Sequence, residues 1–558
     1  MDPSGLSFWG PDPVPLPPRF ARIKRSLIAG HEAALEASWA HLIHALRAEV
    51  EHIEGLGPHL IPSVEFADLD DPAQTARFGR DLRRYGVGVV RKVLPRQAAD
   101  DAVDDTVRYL DFRRHSVQTN GQCNGPAAAP PCNRSSCANK ANGEARVGLR
   151  APRQDPTCFD CFWTPAQVRC RAHPNVLRAQ RFMMGLWDTA AADHRLATRL
   201  PIAYADRIRV TGGGFDAASS NTENALSCAP ALPSASNPST ALPSSASQQP
   251  SPLPPQSADD WITALQSSAG IIAQVDNGSL ERWEPDGYGR GGTYDAIFHG
   301  HWESYDPWEC AGRVGATMDL YNGYGACSML RMFQGLLALS TIEPGMLRLL
   351  PSPRLATAYY LLRPFFNPRQ PAPDVRAGPA WDAYLDPANW ELQREPDTII
   401  HGAVPGHSQR VTERWHPHLL LRSSLITLPT LQPGDYIFWH PDLPYRFSDN
   451  TLASAPDVDR VSMLIYVPAA PLTQTNALYL ARQRKAFLRG LPGPDFDTPG
   501  RGAVAEDPEV RPGERDMDLI GGTVALRAMG LMPWNTNASA SRAEADVVRL
   551  ANQILFPD

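Results

Sequence analysis

The chain has 558 residues, of which 43% are hydrophobic and 20% are charged, and its formal net charge at pH 7 is -7. This length and apolar content are enough for a large buried core, which excludes a wholly disordered protein. The small net charge, with both signs interspersed, gives no reason to expect a nucleic acid or a membrane surface as a partner, so small molecules remain the open class of ligand.

Two further features of the composition concern localisation. Residues 1–18 contain no basic segment followed by an apolar run, and no later stretch approaches the roughly 18 apolar residues of a membrane span. Nine cysteines, an odd number, fit a reducing compartment better than a disulfide framework. We therefore expect a cytoplasmic protein.

The first region, residues 1–117, is predicted to be helical with one strand. Apolar residues recur every three or four positions over residues 31–54, which is the pattern of an amphipathic helix. Residues 76–85 and 96–109 are also predicted to be helices. Between them, residues 86–90 read as a short buried strand, which we expect to join a sheet formed later in the chain.

Two stretches interrupt this pattern, residues 118–156, rich in Asn, Ala, Pro, Gly and Cys, and residues 217–259, a Ser/Pro/Ala/Gln tract. Neither has enough periodic apolar surface to offset its ordering entropy, so both are predicted to be disordered insertions. Such insertions are a possible place for a protein partner to bind. Residues 157–216, which lie between them, are assigned to the core as a part with helices and strands.

The region of residues 260–470 changes to short β-prone runs separated by Gly, Pro, Asn and Asp. The predicted strands are residues 271–275, 315–321, 328–339, 346–350, 424–428, 435–439 and 462–467. Many short strands without alternating helices favour a barrel or a sandwich. Residues 471–558 are predicted to be helical again, with helices at 473–491 and 543–555 that pack on the strands. The fold class is therefore α+β.

A first candidate site follows the predicted strand 435–439, where Trp439, His440 and Asp442 come together in the sequence. A facial iron site takes two imidazoles and one carboxylate, and His440 and Asp442 have the spacing of one imidazole and the carboxylate. No histidine follows His440 in the chain, so the usual order of ligands is not met. A hydrogen-bonded structural histidine is favoured, and the three residues are kept as candidate pocket residues.

Several ordered blocks of the chain resemble a family of bacterial and fungal proteins known as domain of unknown function 1479, or YbiU-like. The blocks are residues 16–20, 24–32, 163–168, 172–176, 276–283, 305–308, 326–335, 401–407 and 478–488. The resemblance covers most of the chain outside the two insertions. It implies a double-stranded β-helix (jelly-roll) core related to the iron(II)/2-oxoglutarate oxygenases, with iron(II) and 2-oxoglutarate as cofactors.

The resemblance also implies where the iron ligands are expected, and this chain departs from the pattern at two of three positions. Gln274 and Tyr445 stand where the family has histidines, and only the carboxylate of Asp276 remains. A neutral amide oxygen and a phenol with a pKa of ~10 are weaker iron ligands than two imidazoles. We therefore interpret the metal triad as degenerate and expect weak iron binding.

Three residues are candidates for the co-substrate side of the pocket. Arg460 and Ser462 resemble the Arg-x-Ser pattern with which many of these oxygenases hold the far carboxylate of 2-oxoglutarate. Arg331 lies inside an apolar run, where a charged group should be paired. It is expected to meet either Asp276 or a bound carboxylate, and a purely structural ion pair is the alternative.

A zinc site is the remaining possibility, because pairs of cysteine and histidine occur at short spacing. The pairs are Cys132 and Cys137, Cys158 and Cys161, and Cys170 and His173. Side chains at this spacing could bind one tetrahedral metal ion. Part of the set lies in an insertion, however, so we favour the interpretation that these cysteines do not form a site.

The favoured hypothesis is an oxygenase-fold protein that has lost standard iron chemistry and binds a small molecule. A working 2-oxoglutarate oxygenase that uses Gln274, Asp276 and Tyr445 as unusual ligands is the first alternative. A non-enzymatic scaffold that recruits partners through its insertions is the second.

Overall fold

The computed structural model describes residues 13–121, 157–192, 195–212, 271–276, 278–447, 461–497, 505–506 and 510–557. Residues 112–121 are described by their backbone alone. The second predicted insertion, all of the first beyond residue 121, and Arg460 lie outside these residues.

Helices dominate both ends of the described chain, whereas the middle contains only short ones. The helices are α1 (Arg19–Ile28), α2 (Glu32–Leu56), α3 (Pro72–Tyr85), α4 (Arg96–Gly121), α5 (Pro165–Ala172), α6 (Pro174–Met184), α7 (Asp295–Phe298), α8 (Ala311–Val314), α9 (Pro353–Leu362), α10 (Pro379–Leu385), α11 (Leu421–Ser424), α12 (Gln474–Arg489), α13 (Glu514–Ala528) and α14 (Arg542–Leu555). Among the described helices, none combines the length and the apolar character that a membrane crossing requires.

The strands are short and are spread over most of the chain. They are β1 (Ser63–Glu65), β2 (Val87–Arg91), β3 (Cys158–Phe159), β4 (Leu196–Ile202), β5 (Ile208–Thr211), β6 (Ile272–Val275), β7 (Gln334–Ala338), β8 (Leu347–Leu349), β9 (Phe366–Pro368), β10 (Trp390–Leu392), β11 (Gln409–Thr412), β12 (Ile426–Thr427), β13 (Tyr436–Trp439), β14 (Tyr445–Phe447), β15 (Ser462–Tyr466) and β16 (Ala470–Thr473). Helices and strands thus occur together, as the α+β prediction requires.

Two larger sheets form the centre of the molecule. Within the described residues, one has seven strands in the order β1-β2-β13-β7-β15-β5-β3, and the other has five in the order β11-β6-β14-β8-β12. Strands β1 and β2 pair in parallel, whereas the other pairs of these two sheets are antiparallel. The early strand β2 lies beside β13, so the predicted strand 86–90 does join a sheet formed later in the chain.

The two sheets pack face to face through one apolar cluster. Leu336 and Ile437 of the seven-stranded sheet belong to the same buried cluster as Leu349 and Tyr445 of the five-stranded sheet. Because successive side chains of a strand point to opposite faces, these residues identify the inner face of each sheet. The outer faces contribute to a second, larger cluster that includes residues of α2 and α9.

One predicted strand is wrong, since residues 315–321 form a loop. The carboxylate of Asp319 accepts hydrogen bonds from the backbone N–H groups of Tyr321 at 3.0 Å and Gly323 at 3.3 Å. A short acidic side chain that bonds its own following backbone offers the chain a turn in place of a sheet ladder.

The predicted strand 328–339 is also too long, because only β7 within it pairs in a ladder. The side-chain amide of Asn476 bonds both backbone groups of Leu330, accepting from its N–H at 2.9 Å and donating to its carbonyl at 2.8 Å. A side chain therefore replaces the neighbouring strand at this point, and Arg331 lies just before β7 instead of inside it.

Gly402 provides a test of how closely the chain packs beside β11. Its φ is +75°, and a Cβ atom there would lie 1.8 Å from the carbonyl oxygen of Arg410. Gly378 has a similar φ of +77° with nothing within 4 Å of an added Cβ. In urea unfolding we expect Gly402→Ala to lower the free energy of unfolding by about 1–3 kcal/mol more than Gly378→Ala, which isolates the clash from the backbone strain. Equal losses would contradict the close approach.

Candidate functional site

The residues proposed as a degenerate metal triad do meet on the inner face of the five-stranded sheet. In β6, Ala273 and Val275 belong to the outer cluster, so Gln274 points to the opposite, inner face, and Asp276 follows it by two residues. Tyr445 of β14 is the direct cross-strand partner of Gln274.

Hydrogen bonds join these three side chains to one another. The Tyr445 hydroxyl donates to Oδ2 of Asp276, and the Gln274 amide donates to the Tyr445 hydroxyl at 2.8 Å. The second carboxylate oxygen of Asp276 accepts a hydrogen bond from Ser408 Oγ at 2.7 Å. Both oxygens of the carboxylate are therefore engaged by neighbouring hydroxyl groups.

Two further residues of this cluster, Ser408 and Arg410, were not predicted from the sequence. Arg410 lies opposite Gln274 in the register of β11 and β6, and its Nη1 donates to Gln274 Oε1 at 2.5 Å. Strand β11 is short and polar, so its composition gave no β signal. The alternation of Arg410 with buried Gln409 and Val411 is the only pattern that would have indicated it.

Burial shifts the pKa values of two side chains of the cluster, Tyr445 and Arg410. It raises the pKa of Tyr445 well above its ordinary value, and the charge of nearby Asp276 raises it further, so the phenol stays protonated and acts as a donor. Burial also lowers the pKa of Arg410, against the attraction of Asp276 and Tyr445.

Arg331 lies beside this cluster as a buried and weakly paired cation. Its side chain is 8% exposed, and Nη2 is 4.0 Å from Oδ2 of Asp276, which is an ion pair too long for a hydrogen bond. Its buried Nε has no hydrogen-bond partner among the described residues. The expected partner Asp276 is therefore near Arg331, but it does not satisfy the guanidinium.

Two more buried donors face the space between the sheets without acceptors in the described part of the chain. They are the amide nitrogen of Gln334 and the indole nitrogen of Trp439, which are paired residues of β7 and β13. The Trp439 ring lies 5.4 Å from the Tyr445 ring, centroid to centroid. Trp439 is thus part of the same interior as the Gln274–Asp276–Tyr445 cluster.

Ser462 begins β15 and is paired with Thr211 of β5. By alternation it shares its face with Leu464 and Tyr466, whose side chains pack in the space between the sheets. Ser462 therefore faces the interior, whereas its predicted companion Arg460 lies outside the described residues.

His440 is not part of this interior. Its Nε2 is 2.8 Å from the carbonyl oxygen of Pro307, and its Nδ1 accepts a hydrogen bond from the backbone N–H of Asp442 at 3.1 Å. The ring also stacks on Trp187 at 5.1 Å. Burial lowers the pKa of His440 to about 4, so the ring is neutral near pH 7. These contacts agree with the structural role favoured for it.

Asp442 lies at the centre of a separate buried network. Its carboxylate accepts a hydrogen bond from Arg313 at 2.7 Å and from the Tyr294 hydroxyl at 3.0 Å, and Arg282 lies 3.7 Å away. Burial favours the protonated carboxyl, but the guanidinium groups of Arg313 and Arg282 outweigh it and lower the pKa of Asp442 below its ordinary range. Asp442 is therefore an ionised structural group.

The cysteine and histidine pairs do not assemble a site in the described part of the chain, which holds no group of three His, Cys, Asp or Glu side chains able to bind a metal. His173 caps α6 by accepting the N–H of Asn175 at 3.2 Å. Cys158, Cys161 and Cys170 are buried and are not in disulfides. Cys132 and Cys137 lie outside the described residues.

Comparison with known proteins places the chain among related sequences and structures. It is 26% identical over 454 residues to the uncharacterised protein YbiU of Escherichia coli K12, a match that covers 80% of this chain and 82% of the relative. The crystal structure of Candida albicans GlcNAc Inducible Gene 2, GIG2 (DUF1479), matches with a TM-score of 0.67 and 22% identity, covering 98% of this chain and 96% of that one.

A second crystal structure, that of the putative oxidoreductase from Salmonella typhimurium LT2, matches with a TM-score of 0.59 and 23% identity, covering 92% of this chain and 98% of that one. At these identities the structural matches show a shared fold. The sequence profile of the Gig2-like family matches residues 14–531, which is nearly the whole chain and confirms the family resemblance. The chain belongs to the Gig2-like family.

Proposed function

We propose that the core is a double-stranded β-helix and that the space between its sheets binds a small organic carboxylate without iron. The Gln274–Asp276–Tyr445 cluster forms the polar wall of this space, and Arg331 provides its positive charge. The Salmonella protein is called an oxidoreductase, but the donor set of this chain supports binding more than redox chemistry.

The order of the strands supports the β-helix. A jelly roll has eight strands divided between two sheets. Within the described residues, β13-β7-β15-β5 are consecutive neighbours in one sheet and β6-β14-β8-β12 in the other. The chain therefore moves repeatedly from one sheet to the other, as a jelly roll requires.

The side chains at the metal position that the resemblance implies do not fit iron(II). Both oxygens of Asp276 accept hydrogen bonds, and the raised pKa of Tyr445 keeps its oxygen protonated. The Gln274 oxygen accepts from Arg410, so a cation already holds it. A divalent metal would have to displace these bonds beside two guanidinium groups, and the native cluster has no imidazole ligand to offset that cost.

The unsatisfied guanidinium of Arg331 is the observation that carries the proposal. A buried charge normally has a full set of hydrogen bonds, because an unpaired one costs several kcal/mol, of the order of ~3–5. Arg331 has only a distant carboxylate, and the unpaired donors of Gln334 and Trp439 face the same interior. Nε of Arg331, Nε2 of Gln334 and Nε1 of Trp439 lack acceptors within the described residues, and the oxygens of a bound carboxylate would supply acceptors.

The test is calorimetric titration of the full chain with 2-oxoglutarate and with succinate in buffer containing a metal chelator. We expect saturable binding, and we expect Arg331→Gln to weaken it at least about tenfold through loss of a charge-assisted bond. Arg348→Gln is the matched control, because Arg348 lies in β8 between inward-facing Leu347 and Leu349 and so points outward.

Three results would contradict the proposal. They are no binding of either carboxylate, an equal loss of affinity in Arg331→Gln and Arg348→Gln, or binding that appears only when iron is added. In the last case, succinate formation from 2-oxoglutarate would favour a working oxygenase with unusual ligands. The scaffold function remains a prediction, because the insertions lie outside the described residues.

A further inference from the structure

A cleft lined with arginines lies apart from the space between the sheets. Its volume is about 610 Å³, and its lining residues come from α3, from the start of α9 and from two loops. They are Arg80, Arg83, Arg84, Trp187, Asp188, Asp306, Trp308 and Arg354. Four arginines against two aspartates leave the cleft with a formal excess of positive charge.

Internal contacts hold two of these arginines in place. Arg83 donates from Nε and Nη2 to the carbonyl oxygen of Leu186, at 3.0 and 2.5 Å. Arg84 bonds Glu49 and also donates to Ser352 Oγ at 3.1 Å. Residues 80, 83 and 84 share one face of α3, so Arg80 lies next to Arg83 and Arg84, whose positions these contacts fix.

The other two arginines are exposed. Arg80 and Arg354 make no hydrogen bond or ion pair with any residue that the structure describes. They come from different helices, so their charges approach the cleft from two elements. Arg354 lies in the first turn of α9, opposite the arginines that α3 contributes to the cleft lining.

Trp187 forms an aromatic wall of the cleft. Its side chain is 4% exposed, and its indole nitrogen is buried with no acceptor among the described residues. Because that nitrogen has almost no accessible surface, the ring shapes the cleft, and the arginines are its donors.

We propose that this cleft binds the phosphate group of a small molecule. A planar carboxylate presents its two oxygens to one guanidinium, whereas the oxygens of a phosphate point in several directions and can reach donors from α3 and α9 together. Asp188 and Asp306 each use one carboxylate oxygen for a backbone N–H, at 3.0 Å. Their second oxygens are placed to accept from hydroxyl groups of an esterified ligand.

Calorimetric titration of the full chain at constant ionic strength tests this site, with inorganic phosphate and glycerol 3-phosphate as probes. We expect the double variant Arg80→Ala/Arg354→Ala to weaken binding at least about tenfold, because two charge-assisted contacts are lost. Neither side chain bonds the rest of the described protein, so the variant should fold normally. Arg22→Ala/Arg25→Ala removes two exposed charges on α1 and should leave the affinity unchanged.

One further measurement completes the test. Arg331→Gln should leave phosphate binding unchanged, so failure of this proposal is separate from failure of the carboxylate site. Tighter binding of the ester than of free phosphate, or the reverse, would identify the source of the phosphate group. Absence of binding at millimolar concentrations, or equal losses in both double variants, would overturn the proposal.

Discussion

Replacing Asp442 by asparagine is expected to lower the free energy of unfolding by about 3–5 kcal/mol, because it leaves buried guanidinium charges without their counter-ion. The side chain of Asp442 is 0% exposed, and those of Arg313 and Arg282 are 3% and 0% exposed. Urea unfolding of the native chain and the variant measures the difference.

A surface ion pair provides the matched control. Asp70 and Arg178 are also joined at 2.7 Å, but their side chains are 89% and 36% exposed. Asp70→Asn should therefore cost no more than about 1 kcal/mol, since water screens the pair. Similar losses in Asp442→Asn and Asp70→Asn would contradict the assignment of Asp442 as the centre of the buried network.

The same network has a pH dependence with a defined sign. Because its partners lower the pKa of Asp442 in the folded protein, its contribution to stability is present above the unfolded pKa of ~3.9 and is lost as the pH falls below that value. The native chain should therefore lose stability more steeply than Asp442→Asn on acidification below about pH 4. If the free energy of unfolding fell equally with pH in the two proteins below about pH 4, the ionised carboxylate would not be stabilised by folding.

The double change Gln274→His with Tyr445→His is expected to create an iron site. Two imidazoles and the Asp276 carboxylate would then form the facial ligand set, and loss of the Tyr445 phenol frees one carboxylate oxygen. We expect elemental analysis after anaerobic purification to find about one iron per chain in the double variant and much less in the native protein.

The two single variants are the controls for this experiment. Each leaves only one imidazole beside Asp276, so each should hold less iron than the double variant. Unchanged iron content in a folded double variant would contradict the placement of the family's metal position at Gln274, Asp276 and Tyr445. Iron in the native protein would instead support the oxygenase alternative.

The long helices were predictable because their signal is local. The apolar spacing over residues 31–54 predicts a helix, and α2 spans Glu32–Leu56. The strand prediction at 271–275 is likewise close to β6 at Ile272–Val275. The strand predicted at residues 315–321 was wrong because a side chain competes with strand pairing there. The Asp319 carboxylate accepts hydrogen bonds from backbone N–H groups that a strand would need for its ladder.

The amino-acid sequence by itself determined the family and the α+β class of the fold, and it singled out Gln274, Asp276 and Tyr445 as candidates, because these depend on motifs and on local periodicity. Only the tertiary structure decided which groups surround those residues. Arg410 reaches Gln274 across 136 positions of sequence, and Tyr445 reaches it across 171. Strand pairing and burial depend on neighbours that are distant along the chain. They create these contacts, and they also leave Nε of Arg331 without a hydrogen-bond partner among the described residues.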